Sequence, residues 1–479
     1  MASDMLKFVD VAQAYPAKRE AEQRADDFRE IADRYGVPAA EEQAGRCAQC
    51  GVPYCTVHCP LHNHIPDWLR LTAEGRLREA YELSNATSTM PEICGRICPQ
   101  DRLCEGNCVI EFSGHGAVTI GSVEKFITDA AWDNGWVEPI VPGPSRGQSV
   151  GIIGAGPAGL TAAELLRVAG YDVHIYDRHD RAGGLLTYGI PGFKLEKPVV
   201  MRRIDRLKAG GILFHQGFEV GRDASLDQLR DRHDAVLIAT GVYRARGLAA
   251  PGAEASGVVE ALDYLTASNR KGFGDAVPDF DSGALDAAGK RVIVVGGGDT
   301  AMDCVRTAVR QGAASVACLY RRDRANMPGS QREVGHAEEE GVEFVWLSAP
   351  RSFGGGERVE TVEIGRMRLG APDASGRRTP EPDDAPPEVR GADLVIKALG
   401  FDADDLPLLF GVPDLRVTRW GTLRVDNATL MTSLDGVFAA GDIVRGASLV
   451  VWAVRGGRDV AANIDKYLRA KVKPERKAA

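Results

Sequence analysis

Eight of the ten cysteines lie close together, between Cys47 and Cys108. Their spacing gives two runs, Cys47-x2-Cys50-x4-Cys55-x3-Cys59 and Cys94-x3-Cys98-x5-Cys104-x3-Cys108. A proline directly follows Cys59 and Cys98, which is typical of runs that ligate iron–sulfur clusters. Eight thiolates are the number that two 4Fe–4S clusters require, at four ligands each. The sequence therefore predicts centres for one-electron transfer.

The last cysteine of one run often ligates the other cluster in two-cluster domains. We therefore group Cys47, Cys50 and Cys55 with Cys108, and Cys59 with Cys94, Cys98 and Cys104. Zinc held by four cysteines is an alternative, although zinc is redox-silent. Disulfide bonds are a further alternative that would suit a secreted chain.

Other candidate ligands lie near the two runs or far from them. Cys304 and Cys318 lie far from the runs and are expected to be small buried apolar residues. His58, His62 and His64 lie within or just after the first run, and we expect polar surface or packing roles for them.

A first nucleotide-binding pattern directly follows an apolar segment at 149–153. Gly154, Gly156 and Gly159 form G-x-G-x-x-G, whose glycines allow a tight turn, backbone approach to a pyrophosphate and close helix–strand packing. The helix that starts here would direct its positive end at the phosphates. Asp177 follows the third glycine by 18 residues, where an acid meets ribose hydroxyls.

A second element favours FAD as the nucleotide at this site. Segment 436–443, GVFAAGDI, reads as an apolar strand that would bring Gly441 and Asp442 to the diphosphate. The helix after it, expected to begin near Ser448, would point its N-terminus at the flavin. Asp442 could instead serve as a turn or helix-cap residue.

A second nucleotide-binding pattern follows the strand expected at 292–295. Gly296, Gly298 and Ala301 form G-x-G-x-x-A. The next strand ends in Arg321 and Arg322, where an NAD-binding site would carry an acid. Arginine suits the 2′-phosphate of NADPH, so NADPH is preferred to NADH. Asp323 keeps NADH possible, and the arginines could also form a solvated strand end.

Two nucleotide sites in one chain predict hydride transfer between a nicotinamide and a flavin. That step needs orientation by the protein and no side-chain acid or base, so no catalytic residue is assigned. The expected cofactor-binding residues are Gly154, Gly156, Pro157, Ala158, Gly159, Asp177, Gly184, Leu185, Tyr188, Thr240, Gly241, Gly296, Gly298, Asp299, Thr300, Ala301, Arg321, Arg322, Gly441 and Asp442.

Bulk properties exclude several classes of protein. The net charge of −9 argues against nucleic acid as the main partner. No basic start followed by a long apolar run marks a signal peptide, and no run of 18 apolar residues predicts a membrane span. We therefore expect a cytoplasmic chain that binds no membrane.

The elements that would position these residues predict an α/β fold with a helical iron–sulfur domain and two nested Rossmann-like domains. We expect a helical domain at 1–145, with helices at Pro66–Glu74, Leu77–Ser84 and Thr119–Asn134 and helical composition at Ala17–Tyr35. The FAD domain would span 146–285 and 401–479, and the NADPH domain 286–400. The segment 351–390 is expected to be an exposed hairpin or loop.

The combination of motifs resembles the small (β) subunits of bacterial NADPH-dependent glutamate synthases over nearly the whole chain. It rests on CAQCGVPYCTVHCP, CGRICPQDRLCEGNC, GIIGAGPAGL, GGLLTYGIPGFKL, VVGGGDTAMDC, YRRDRANMPGS and GVFAAGD. The resemblance implies electron flow from NADPH through FAD and 4Fe–4S clusters to FMN on a large (α) subunit. That subunit would make L-glutamate from L-glutamine and 2-oxoglutarate.

The resemblance also implies roles for further residues. Gly183–Tyr188 would lie along the flavin, and Met327–Gly329 would approach the nicotinamide, although both could be plain loops. The N-terminal domain of dihydropyrimidine dehydrogenase is similar too, and there a glutamine replaces one cysteine ligand. The matching position is Glu124, so Glu124 rather than Cys94 could complete the second cluster.

Two other functions stay open on the sequence. The same module could serve another acceptor, such as ferredoxin or a dihydropyrimidine-reducing partner. A non-catalytic, zinc-stabilised assembly or regulatory protein with vestigial nucleotide folds is the alternative from a different class.

Overall fold

The structure, a computed structural model, describes residues 4–372 and 378–471. Its N-terminal part is helical. The helices are α1 (Ala21–Ala25), α2 (Val37–Ala44), α3 (Tyr54–His58), α4 (Ile65–Ala73), α5 (Leu77–Asn85), α6 (Pro91–Ile97), α7 (Val109–Phe112) and α8 (Ile120–Asp133), with 3₁₀ turns at Lys7–Val9 and Gln100–Arg102. Apolar faces of α2, α4 and α8 meet around the fully buried Trp68, Val123 and Ile127. The two cysteine runs lie around this core, with Cys55 on α3, Cys94 on α6 and the other six on turns and helix ends.

The first nucleotide-binding unit follows as alternating strands and helices. Its elements are β1 (Ser149–Ile153), α9 (Pro157–Val168), β2 (Asp172–Asp177), α10 (Leu185–Tyr188), α11 (Lys197–Ala209), β3 (Leu213–Gln216), α12 (Leu226–Arg232) and β4 (Ala235–Ile238). β1 and β4 are apolar and buried, as strands of a parallel sheet covered on both faces must be.

The second unit is inserted after β4. Its elements are β5 (Arg244–Ala245), β6 (Val258–Glu260), α13 (Ala261–Gly272), α14 (Pro278–Asp281), β7 (Arg291–Val295), α15 (Asp299–Arg310), β8 (Ser315–Tyr320), a 3₁₀ turn at Arg324–Asn326, α16 (Gln331–Glu339) and β9 (Glu343–Trp346). An antiparallel sheet follows, formed by β10 (Ser348–Gly354), β11 (Thr361–Pro372), β12 (Arg378–Pro382) and β13 (Glu388–Gly391). The predicted hairpin or loop at 351–390 is thus largely strand; residues 373–377 lie outside the described residues.

Strand β14 (Leu394–Lys397) completes the second unit, and the chain then returns to the first. The remaining elements are β15 (Phe401–Asp402), α17 (Leu406–Leu409), β16 (Val437–Ala439), α18 (Asp442–Arg445) and α19 (Val450–Lys471). The first parallel sheet has the order β16-β4-β1-β2-β3, and the second β6-β14-β7-β8-β9. The two connections between the units pair as β5 and β15.

Two features differ from the sequence-based expectation. The segment Ala17–Tyr35 is helical only at α1, because ion pairs from Lys18 and Arg24 to Glu339 hold it in an irregular path against α16. The second sheet begins at β6, which pairs with β14, whereas the predicted second unit began at residue 286.

The helical part is fixed to the first nucleotide-binding unit by buried polar contacts. Arg203 on α11 donates two hydrogen bonds, of 2.8 and 2.9 Å, to the carboxylate of Glu92 on α6. Arg458 on α19 donates to the carbonyl oxygens of Leu61 and Thr87. Because both ends of each contact are well buried or part-buried, the cysteine region and this unit form one packed body.

Candidate functional site

The first glycine turn is shaped for a diphosphate. Gly154 has φ of 108°, and a Cβ there would lie 2.4 Å from the carbonyl oxygen of Ala239. A Cβ on Gly159 would lie 2.1 Å from the carbonyl oxygen of Gly154. Gly156, in contrast, faces open space within 4 Å, where a ligand can approach the backbone. Helix α9 begins at Pro157 and continues with Ala158 and Gly159. No side chain caps its N-terminus, so its first N–H groups are available to phosphate.

Asp177 ends β2 beside this turn and is buried. Its carboxylate accepts hydrogen bonds from the backbone N–H of Ala155 (2.7 Å) and of His179 (2.8 Å). It lines a cavity of about 230 Å³ together with Tyr243 and Thr240. The acid therefore both fixes the glycine turn and borders the space expected for adenosine.

Thr240 and Gly441 border the same turn from neighbouring strands. The Thr240 hydroxyl is buried and has no hydrogen-bond partner among the described residues, as expected of a group that binds a ligand. Gly241 follows it with φ of 74°. A Cβ on Gly441 would lie 3.0 Å from the Cβ of Ala158.

Asp442 opens the one-turn helix α18 and is 2.6 Å from the Ser448 hydroxyl, which donates to it. Burial raises the pKa of the Asp442 carboxyl. The helix expected from Ser448 begins two residues later, at Val450, since the hydroxyl of Ser448 is directed back to Asp442.

The loop after β2 approaches the first turn closely. Gly183 donates its N–H to the Ala155 carbonyl oxygen at 2.9 Å, and Gly184 has φ of 53°. The Tyr188 hydroxyl hydrogen-bonds the Asp180 carboxylate and accepts from the Arg181 N–H, so this hydroxyl anchors its own loop.

The second glycine turn has the same construction. Gly298 faces open space, whereas a Cβ on Gly296 would lie 2.3 Å from the carbonyl oxygen of Ala398. Ala301 is fully buried on α15. A second loop packs on this turn, with the Gly329 N–H donating to Gly297 at 3.0 Å and the Ser330 N–H to Asp299 at 2.9 Å.

The two arginines after β8 differ in their surroundings. Arg321 is exposed at the carboxyl end of the strand. Arg322 is buried, and its Nε donates to the carbonyl oxygen of Arg378 at 2.9 Å. Arg322 therefore joins the second nucleotide unit to the antiparallel sheet.

The structure brings the cysteines together in two cavities. Cys47, Cys50, Cys55 and Cys108 line the first, and Cys59, Cys94, Cys98 and Cys104 line the second. All ten cysteines are free thiols. Within 4–372 and 378–471, no group of three or more His, Cys, Asp or Glu side chains could hold a single metal ion.

Burial governs the acidity of these thiols. It raises the pKa of Cys47 to about 11, of Cys55 to about 12 and of Cys59 to about 11, and the pKa of Cys104 goes well above its ordinary value. Thiolates would therefore form only with iron as a charge partner, and cluster insertion would release protons.

Glu124, on α8, also lines the second cysteine cavity. Its Oε1 accepts from Asn63 Nδ2 (3.1 Å) and Ser84 Oγ (3.3 Å), whereas Oε2 has no hydrogen bond with any described residue. Burial raises the pKa of Glu124 to about 8. Cys94 lines the same cavity, and its sulfur lies 4.0 Å from the Ser88 hydroxyl oxygen.

A large cavity, of about 610 Å³, lies where all three parts of the chain meet. Its lining includes Leu185 and Ile190 from the loop after β2, Asp299 and Thr300 at the start of α15, Leu449 before α19, and Cys98 from the second cysteine run. A single space thus borders both glycine-turn units and a cysteine cavity.

One wall of this cavity is ionic. Lys194 pairs with Asp303 (2.9 Å) and lies 3.8 Å from Glu333. Burial opposes the charge on Lys194, but the two carboxylates raise its pKa. Lys197, which donates to the carbonyl oxygens of Leu186 and Ile190, has its pKa lowered to about 7 by burial. The sequence-based prediction missed these residues; their nearest signal is the GIPGFKL segment, which contains Lys194.

Known proteins are similar to this chain over nearly its whole length. The chain is 65% identical to the glutamate synthase (NADPH) small chain of Azospirillum brasilense, over 98% of this chain and 97% of that protein. This chain belongs to the glutamate synthase small-chain family. Another relative of the small chain, the putative oxidoreductase AegA of Escherichia coli, is 44% identical over 96% of this chain and 70% of its own length.

Two protein families match separate parts of the chain. Residues 24–136 match the family described as dihydropyrimidine dehydrogenase domain II, 4Fe-4S cluster. Residues 148–457 match the pyridine nucleotide-disulphide oxidoreductase family. The solved structure of Mycobacterium tuberculosis FprA in complex with NADPH superposes with a TM-score of 0.57 at 20% identity, over 67% of this chain and 85% of FprA, and shows the same fold.

These findings confirm the family, the α/β fold class and the cofactors expected from the sequence. The small chain is an NADPH-dependent flavin oxidoreductase that uses FAD and carries a 4Fe–4S domain. Within the described ranges, none of its helices combines the length and apolar character needed to cross a membrane.

Proposed function

We propose that this small chain is the electron-input subunit of a glutamate synthase. NADPH would give hydride to FAD, and single electrons would pass through two 4Fe–4S clusters to FMN on a large subunit that forms L-glutamate from L-glutamine and 2-oxoglutarate. The observation that carries the proposal is the 610 Å³ cavity, which borders both glycine-turn units and Cys98.

The first unit is proposed to hold FAD. The backbone around Gly154, Gly156 and Gly159 would contact the diphosphate, and Asp177 the ribose. The unpaired hydroxyl of Thr240 and the start of α18 at Asp442 face the same turn and support this assignment. Gly184 and Leu185 would border the flavin.

The second unit is proposed to hold NADPH. The N–H groups at the start of α15, after Gly298, would contact the diphosphate, and Arg321 would bind the 2′-phosphate. Arg322 would support Arg321 from the buried side, because its guanidinium is already directed to Arg378. The approach of Met327–Gly329 to the nicotinamide remains a proposal that rests on the family resemblance.

Cys47, Cys50, Cys55 and Cys108 are proposed to ligate the first cluster. Cys59, Cys98 and Cys104 would ligate the second, and for the fourth ligand we favour Glu124 over Cys94. Cys94 also lines the second cavity, but its sulfur already has a polar neighbour, the Ser88 hydroxyl at 4.0 Å. The Oε2 atom of Glu124, by contrast, has no other partner among the described residues.

The placement of the cavities supports an order of transfer. The second cysteine cavity shares Cys98 and Gln100 with the large cavity, whereas the first shares no residue with it. Electrons would therefore reach the second cluster before the first. Because thiolate-bound clusters need a reducing compartment, we also propose a cytoplasmic location.

A second acceptor is favoured by one observation. AegA contains a similar module within a longer chain and is described only as a putative oxidoreductase. The same electron-input module could therefore serve an acceptor other than a glutamate synthase large subunit.

Reconstitution with a purified large subunit tests the proposal. The small chain, loaded with FAD, iron and sulfide, should support formation of two glutamates, one from glutamine and one from 2-oxoglutarate, for each NADPH oxidised in steady turnover. Cys98→Ala should keep reduction of the flavin by NADPH and lose glutamate formation. Flavin reduction by the parent chain without any glutamate would contradict the glutamate synthase assignment and favour another acceptor.

A further inference from the structure

Exposed apolar side chains lie on two chain segments, 52–57 and 109–112, that contribute residues to the first cysteine cavity. Large apolar residues are normally exposed singly, so a group of them marks an interaction site. The group, called the collar below, consists of Val52, Tyr54, Val57, Val109 and Phe112. Phe112 and Val52 are the most exposed, at 73% and 64%.

The collar surrounds the first cavity. Tyr54 and Val109 line that cavity beside Cys50 and Cys108. Val57 follows Tyr54 by one turn on α3, and Phe112 follows Val109 by one turn on α7, so each pair lies on one face of its helix. Two collar residues, Tyr54 and Val109, therefore form part of the wall around the proposed first cluster, and the other three lie beside them in the chain.

The chain segment of the first cysteine run lacks charged residues until the exposed Asp67. From Cys47 to Pro66 the chain has no Asp, Glu, Lys or Arg, although 26% of its residues are of these types. On α7, Glu111 is the charged residue between Val109 and Phe112. Its carboxylate accepts a hydrogen bond from the Ala117 N–H at 2.6 Å. The collar therefore offers an incoming protein apolar contact and almost no electrostatic guidance.

We infer that the collar is the docking surface for the large, FMN-carrying subunit, and that electrons leave the small chain there; the inference rests on the proposed function. Transient electron carriers use small interfaces and approach their partners through complementary charge. Permanent subunits bury more apolar interfaces, depleted of charge at the centre. The collar fits the second kind of partner, whose own apolar surface must bring a redox centre close to Cys50.

The test uses the full, cofactor-loaded chain with Val57→Glu and Phe112→Glu combined. Neither side chain lines a cysteine cavity, and each new carboxylate would be buried without a partner on assembly. The matched control is Leu408→Glu with Trp420→Glu, two exposed apolar residues outside the cysteine region. A milder pair, Val57→Ser with Phe112→Ser, is tested as well, in case the two glutamate substitutions prevent cluster insertion.

Affinity for the purified large subunit and glutamate formation are measured, with iron content and flavin reduction by NADPH as checks. We expect the collar variant to bind at least tenfold more weakly than the parent and the control, with iron content and flavin reduction retained. Unchanged binding by both collar pairs would overturn the inference. If the parent itself makes no glutamate with the large subunit, the proposed function fails instead. If the parent and the collar variants form glutamate equally well, the docking surface is wrong while the proposed function stands.

Discussion

Glu124 is the side chain whose role most affects the second cluster. It is buried among cysteines, and its nearest polar neighbours are neutral amide and hydroxyl groups rather than cations. A buried carboxyl without a cation is costly to ionise, which is why burial raises its pKa to about 8. Iron would supply the missing positive charge.

Replacing Glu124 with Ala should therefore remove the second cluster, and Cys94→Ala should leave it in place. The expected result is a loss of about half of the bound iron in the first variant and none in the second. Iron and acid-labile sulfide assays, with the electron paramagnetic resonance of the reduced protein, measure this. Loss of iron from Cys94→Ala with full iron in Glu124→Ala would assign the ligand to Cys94.

Arg321 sets the expected preference for NADPH over NADH. A hydrogen bond to a charged group contributes about 1.5–3 kcal/mol, so Arg321→Ala should raise KM for NADPH about tenfold or more. KM for NADH, which has no 2′-phosphate, should change little. The control is Arg324→Ala, which removes an exposed ion pair with Glu338 (2.7 Å). Equal effects of Arg321→Ala on both nucleotides would refute the assignment.

The residues of the glycine turns could be predicted because their roles depend on neighbours in sequence. Gly154, Gly156 and Asp177 lie within one strand–turn–helix–strand unit. The contacts of Arg322 and Lys194 could not, since their partners Arg378 and Asp303 are 56 and 109 residues away in the chain. Only folding brings those pairs together.

Among the elements, α9 and α19 pack closely because small residues lie at their contact. A Cβ on Gly457 of α19 would lie 2.3 Å from the carbonyl oxygen of Ala158 and 2.8 Å from the Cβ of Thr161 on α9. Ala158 lies directly behind the first glycine turn. The packing of these two helices therefore holds the start of α9 toward the FAD site.

Gly457→Ala should separate the helices, destabilise the first unit by about 1–3 kcal/mol and weaken FAD binding. Gly335→Ala on α16 is the matched control, because nothing lies within 4 Å of its added Cβ. The control should be neutral or more stable by up to about 1 kcal/mol, owing to the higher helix propensity of alanine. Urea unfolding and FAD dissociation are the measurements; equal behaviour of the two variants would refute this packing role.

Three histidines connect the strands at the far edge of the first sheet. His233 lies between Tyr176 Oη (2.9 Å) and Ser149 Oγ (3.0 Å), and His174 Nδ1 lies 3.1 Å from His215 Nε2. Burial lowers the pKa of His233 to about 4 and lowers those of His174 and His215 as well. Each imidazole is therefore neutral in the folded chain at neutral pH.

The unfolded chain binds a proton at His233 near pH 6.5, whereas the folded chain does so only near pH 4. The stability that neutral His233 contributes is thus fully present above about pH 6.5 and is lost as pH falls toward 4. Between pH 7.5 and 5.5, the urea concentration at the midpoint of unfolding should fall less for His233→Gln than for the parent chain. The exposed His115→Gln serves as the control, and an unchanged fall in His233→Gln would contradict the prediction.

The strands and helices of both nucleotide-binding units follow from local sequence, because buried parallel strands read as continuous apolar runs beside glycine turns. The segment Ala17–Tyr35 shows the limit of that reasoning. Its composition suits a helix, but Lys18 and Arg24 bind Glu339, and these tertiary ion pairs determine its path.

For the whole molecule, the decisive feature is that three parts meet at one cavity. Arg332 on α16 bonds Glu105 of the cysteine region at 2.7 Å, and the Ser330 hydroxyl lies 3.2 Å from Asp101. The Arg102 guanidinium donates to the carbonyl oxygen of Pro328 at 2.6 Å. These contacts hold the second unit against the cysteine region, so the sites proposed for nicotinamide, flavin and the second cluster border one cavity. Motif order in the sequence could predict the three parts but not this meeting point.

The most direct test of this account is anaerobic stopped-flow reduction of the fully loaded small chain by NADPH, without any partner. The account predicts fast bleaching of the flavin band, followed by slower loss of the broad iron–sulfur absorbance, with NADH much less effective. Bleaching of the flavin with no later change in iron–sulfur absorbance would contradict electron transfer from the large cavity to the cysteine sites.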